Sequence, residues 1–142
     1  MFNNDRDSMR QFFCDSWSKA QNNQPLEPIE QLIVSVAQAH PEYHDDLSNP
    51  DKSKGKEYLP ELNEVNPFLH MGMHLGIKEQ CSVNMPNGIT ELVSTLAMRV
   101  GEHDAEHQVM ECLAEAIWQM QHKEIQFNET AYLECVKKTL SK

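Results

Sequence analysis

Along most of this chain apolar residues recur every three or four positions, the spacing of one face of an α-helix. Over 6–22, Met9, Phe12, Phe13, Ser16, Trp17 and Ala20 share such a face behind the acidic start at Asp5 and Asp7. The polar run from Gln21 to Pro25 ends it. Pro28 suits the first turn of a second helix, where its missing N–H costs no hydrogen bond. Ile29, Leu32, Ile33, Val36 and His40 then trace one stripe. Pro41 ends or kinks that helix, and a short helix follows to about Leu47. From Ser48 to Val65 the pattern lapses. Pro50, Gly55, Pro60 and the lysines at 52, 54 and 56 predict a long exposed loop.

Asn66-Pro67 is a strong helix start, because Asn caps the first free amides and Pro follows at no cost. This helix runs to about Ser82. His70, His74, Ile77 and Cys81 lie on one stripe, widened by Phe68, Met71 and Leu75. Gly72 and Gly76, four apart, weaken helix propensity and leave room for a neighbouring helix to approach closely. Pro86-Asn87-Gly88 is a turn. A long pattern from Thr90 to about Gln121 then carries Leu92, Leu96, Val100, His103, His107, Met110, Ala114, Ile117 and Gln121, with Gly101 as its kink or break. Asn128 caps the last helix and Phe127 staples to Tyr132. Ala131, Leu133, Cys135, Val136 and Leu140 form its buried side. With few glycines and no strand-like alternation, the fold class is all-α: a single-domain bundle of about five to seven helices over 1–142.

Composition narrows the function. The chain has 142 residues, enough for a packed core, and a formal charge of −10. That charge argues against a surface that tracks nucleic-acid phosphates or an anionic membrane. No apolar run approaches the ~20 residues of a membrane span. The first residues carry no basic stretch or apolar run of a signal peptide. Cys14, Cys81, Cys112 and Cys135 are widely spaced without CxxC, so a cytoplasmic protein with reduced thiols is expected.

The histidines carry the candidate chemistry. Six of the seven fall in pairs four apart: His40/His44, His70/His74 and His103/His107. On a helix such a pair lies on one face and can close on a single ion. The first pair is interrupted by Pro41. At about 100° per residue from His103, His107 lies near 40° and Glu111 near 80°, beside Ala114, Met110 and Ile117. Metal-ligand candidates are therefore His70, His74, His103, His107 and Glu111, followed by His40, His44 and Glu79. Glu106 and Asp104 are candidate acceptors for imidazole N–H groups. Imidazole suits iron, zinc, copper and nickel, and facing helices of a bundle are a common place for such sites. Iron or zinc is the expected cofactor. Four buried histidines without partners would each cost about 1–3 kcal/mol, which a metal removes.

Other features have plainer readings. Cys81 is a thiolate candidate or a small buried hydrophobe. Met71, Met73, Met98 and Met110 are core filler, Trp118 is packing, and His122 complements a helix C-terminus. The lysines of the loop are solvated. There is no nucleophile motif, no glycine-rich phosphate loop and no HExxH, so hydrolysis would require a metal-bound water. Two function classes remain. One is a metal-binding protein with metal-assisted redox or hydrolytic chemistry on an unidentified small molecule. The other is a metal-free interaction module whose histidines are structural or pH-sensing. Homodimerisation through an exposed helix is compatible with both.

Three segments together are specific: His40 to His44, Asn66 to His74, and His103 to His107 with Met110 to Glu115. In these the chain resembles a bacterial family known as domain of unknown function 1841, from about residue 7 to residue 135. Where that family has Pro-Pro-Gly, this chain has Pro86-Asn87-Gly88, away from every candidate ligand. The family has no assigned activity, so the resemblance implies no reaction. A looser analogy runs to hemerythrin-like and DinB-like metal bundles, and analogy of fold does not fix function.

Overall fold

The computed structural model describes residues 2–53 and 66–141, with side chains over 7–51 and 66–141. The chain is all-α. Its helices are α1 (Phe2–Gln21), α2 (Pro28–Gln38), α3 (His44–Ser48), α4 (Pro50–Ser53), α5 (Pro67–Val83), α6 (Ile89–Val100), α7 (Glu102–Lys123) and α8 (Glu129–Ser141), with a 3-10 turn over Pro41–Tyr43. Six of these have eleven residues or more, as the pattern predicts. The predicted loop over 48–65 begins instead with the short α4. Its Lys54, Gly55, Lys56 and Pro60 lie outside the described residues.

The chain divides into two compact units, Met1–Leu75 and Gly76–Lys142. In the first, α2 and α3 pack on α1. Phe13, Cys14, Trp17, Ile33, Val36, Ala37, Leu47, Phe68 and Met71 form its core. Phe13 meets the Phe68 ring edge-on at 6.3 Å, and the fully buried Arg10 guanidinium lies 5.3 Å from that ring. At the start of α2, Glu30 accepts from the Glu27 amide at 2.8 Å and from Lys19 Nζ at 2.7 Å. Asn66 opens α5 as the sequence predicts: its Oδ1 accepts from the amides of Phe68 and Leu69 at 3.0 and 3.2 Å.

In the second unit α6, α7 and α8 pack against one another. Asn84, at φ 54°, accepts from the amides of Gly88 and Thr90 and closes the turn into α6; the Met85–Pro86 bond is cis. Gly101 breaks the long 90–121 pattern into α6 and α7. Its φ of 92° is a left-handed value that a side chain disfavours. Asn128 Oδ1 caps the amide of Ala131, and Phe127 packs 5.5 Å from Tyr132, as expected.

Several expectations need correction. The cysteines are not all reduced thiols: Cys112 and Cys135 are disulfide-bonded and tie α7 to α8. The buried side of α7 holds Ala105, Glu106, Val109, Met110, Cys112, Leu113 and Ala116. At about 100° per residue it is centred near 250° from His103, not on the histidines, which flank it half-buried. Two alanines and a glutamate make that side look polar in sequence. Met98 is 86 % exposed and Trp118 48 % exposed, so neither is core. A Cβ built at Gly72 or Gly76 meets nothing within 4 Å, so no helix approaches closely there among the described residues.

Candidate metal centre

The first unit gathers three histidines. Pro41 ends α2 and turns the chain through its 3-10 segment, leaving His40 just beyond the last turn. One turn apart on α5, His70 and His74 face it. The ring centroids are 5.0 Å apart for His40–His70, 4.6 Å for His40–His74 and 4.9 Å for His70–His74. Each offers a ring nitrogen, and those nitrogens lie within 4.8 Å of one another. His40 and His74 are buried and His70 is half-buried, so His70 marks the solvent side.

Hydrogen bonding fixes the role of His40. Its Nδ1 lies 2.8 Å from the carbonyl oxygen of Val36. A carbonyl only accepts, so Nδ1 carries the proton and Nε2 of the neutral ring carries the lone pair. This is the backing that orients a ligating imidazole. Tyr43 stacks on His40 at 5.4 Å and 9°, and stands 6.1 Å from His70. Burial, then the carboxylates of Glu42 and Asp46, push its phenol above the usual value. The trio is thus walled by a neutral aromatic ring.

The chain matches the family described as a domain of unknown function (DUF1841) over residues 5–138. It belongs to DUF1841. No curated protein and no solved structure matches it.

The remaining candidates of this DUF1841 chain are placed differently. His44 shares a sequence pair with His40, but the 3-10 turn separates their directions. Its Nε2 donates to the carbonyl oxygen of Ala37 at 2.8 Å and its ring lies 4.3 Å from Trp17. In the second unit His103 and His107 are paired rings on α7, 4.2 Å apart. Glu79 and Glu111 are exposed, and with His44 and His103 they belong to no ligand-capable group among the described residues. Glu106 is buried and binds Lys78 Nζ at 2.9 Å, while Lys78 also reaches Glu102 at 2.8 Å. Asp104 is exposed. Burial, followed by the charge of Glu106, pushes the Cys81 thiol up, which suits an inert thiol rather than a ligand. No helix among the described residues is long and apolar enough to cross a membrane.

The sequence ranked His40 second because Pro41 interrupts its pair. In the structure His40 lies beside His70 and His74, because the interruption is what turns it toward α5. The available signal was the stripe from Ile29 to His40, which continues unbroken to the proline.

Proposed function

We propose that this protein binds a transition-metal ion through imidazole, with His40, His70 and His74 as the core ligands. The observation that carries the reading is the convergence of those three ring nitrogens from two helical segments, with His40 already oriented by Val36. Three imidazoles leave a tetrahedral ion one further position. A set of neutral nitrogens with no carboxylate suits zinc or iron and disfavours calcium and magnesium, which take oxygen. If a further protein donor takes that position, the ion is closed, as in a structural, storage or sensing site. If solvent or substrate takes it, metal-assisted redox chemistry with iron or hydrolysis with zinc becomes accessible.

The test is elemental analysis of protein purified without a histidine tag, before and after dialysis against chelator. About one equivalent of zinc or iron, removed by chelator and restored on reconstitution, is expected. The His70→Gln/His74→Gln double variant should keep its helical circular dichroism and lose the metal. A wild-type protein that takes up neither ion, or a double variant that keeps full stoichiometry, overturns the reading.

A further inference from the structure

The second unit carries a different chemistry. Its disulfide, Cys112–Cys135, does not lie sealed between two helices. It forms part of the wall of a cavity of about 300 Å³ between α7 and α8. Ala116, Ile125 and Tyr132 supply apolar wall, while Glu115, Gln119 and Lys123 supply polar groups. The two cysteines are unequal: Cys112 is 3 % exposed, whereas Cys135 is half-buried. Thr139 Oγ1 lies 3.9 Å from Cys112 Sγ and donates its hydroxyl proton to the carbonyl oxygen of Cys135 at 3.1 Å.

The geometry points to a thiol–disulfide exchange site whose substrate is a small zwitterionic thiol. Its carboxylate pairs with Lys123 and its ammonium with Glu115, which Gln119 holds from behind at 2.8 Å. The thiolate of the first substrate molecule attacks Cys135 Sγ, the sulfur of the more exposed cysteine. The Cys112–Cys135 bond breaks, and Cys112 leaves as a thiolate beside the Thr139 hydroxyl. A second thiolate attacks the substrate sulfur of the mixed disulfide and releases Cys135 as a thiolate. The two protein thiolates take the two protons that the substrate thiols gave up. One protein disulfide and two thiols thus become one protein dithiol and one substrate disulfide, a two-electron exchange. Cys112 is the resolving partner in the reverse direction, because its proximity to Cys135 survives in the folded unit.

The exchange involves none of the histidines proposed as ligands, so its outcome is independent of the metal. The full-length protein is incubated, folded and with chelator present, with excess reduced glutathione, and alkylated thiols are located by mass spectrometry. Cys112 and Cys135 should become alkylatable together while circular dichroism still reports a folded protein. In Cys112→Ser, oxidised glutathione should form its mixed disulfide on Cys135. Lys123→Glu should slow reduction by glutathione about two- to five-fold, with no change for uncharged 2-mercaptoethanol. A Cys112–Cys135 bond that resists glutathione until the protein unfolds overturns the proposal, as does a mixed disulfide found only on Cys14 or Cys81. Equal effects of Lys123→Glu on both thiols overturn the assignment of the substrate class. Should Cys112→Ser fail to fold, the wild-type reduction and the Lys123→Glu comparison decide alone.

Discussion

His40 donates its Nδ1 proton to the carbonyl oxygen of Val36 across 2.8 Å, one turn back along the chain. The bond leaves Nε2 as the basic nitrogen and holds the ring against two imidazoles of α5. Removing this ring should therefore cost metal affinity directly. Loss of outer-sphere support alone weakens metal sites about 10–100-fold, so loss of a ligand should exceed that range. His40→Ala, titrated with zinc against a competing chelator, should bind more than about 100-fold more weakly than wild type. His44→Ala, whose ring bonds Ala37 instead, should bind zinc like wild type. Equal losses in the two variants would mean that both act through the fold.

Metal binding should weaken as the pH falls, because protons compete with the ion for the imidazole nitrogens. The same zinc titration at pH 7.5 and at pH 5.5 should show this, with protons released into unbuffered solution on binding (both roughly chosen to bracket imidazole titration). Affinity that does not change with pH would point to ligands other than histidine.

Gly72→Ala and Gly76→Ala should each stabilise the protein. Both sites are helical, and an added Cβ meets nothing within 4 Å. The gain arises because alanine loses less backbone entropy on folding, about 0.5–1 kcal/mol per site. Chemical denaturation of each variant measures it. A destabilised variant would show that the space beside α5 is occupied in solution.

The Lys19–Glu30 pair fixes a pH dependence. The Lys19 hydrogen bond, then the Glu27 amide, hold the Glu30 carboxyl below its usual 4.5. A carboxyl depressed in the folded state stabilises it fully above the unfolded value, and that contribution fades as pH falls through the lower folded value. Wild type should thus be more stable than Glu30→Gln at pH 7, and the difference should shrink below about pH 4.5. A difference that stays constant to pH 3 (roughly the end of carboxylate titration) would assign the effect to packing.

Most of the fold was legible because local chemistry sets its boundaries. Asn66-Pro67, Gly101 and Asn128 each start or break a helix for reasons contained within a few residues. The buried side of α7 was not, because Ala105, Ala116 and Glu106 carry little hydrophobic signal and only packing reveals them. The histidine centre was half legible. The pair on α5 could be read from spacing, and its alignment with His40 could not, since it depends on the turn that Pro41 imposes. The disulfide joins positions 23 apart in sequence, and no local pattern announces such a contact. It pairs Cys112, on the buried side of α7, with a cysteine that the pattern places on the buried side of the last helix.

Lys78 bridges two carboxylates of the second unit. Its ammonium lies 2.8 Å from Glu102 and 2.9 Å from Glu106, and only Glu102 of the two is exposed. Burial pushes the Lys78 pKa down, but the two carboxylates outweigh it and the net direction is up from 10.5. A raised ammonium contributes stability that is complete below the unfolded value and lost only as pH rises through the higher folded one. The contribution is therefore present in full at neutral pH and should decline above about pH 10.5. Lys78→Met removes it and takes a charge-assisted bond from the buried Glu106, at a cost of about 1–3 kcal/mol. Glu106→Gln alone should cost a similar amount, and the double variant should cost less than the sum, because the two single changes remove the same 2.9 Å contact. Denaturant melts of the four proteins at pH 7 measure the coupling. Strict additivity would show that Lys78 is held by Glu102 at the surface, where an ion pair contributes about 0–1 kcal/mol, and that Glu106 is stabilised without it.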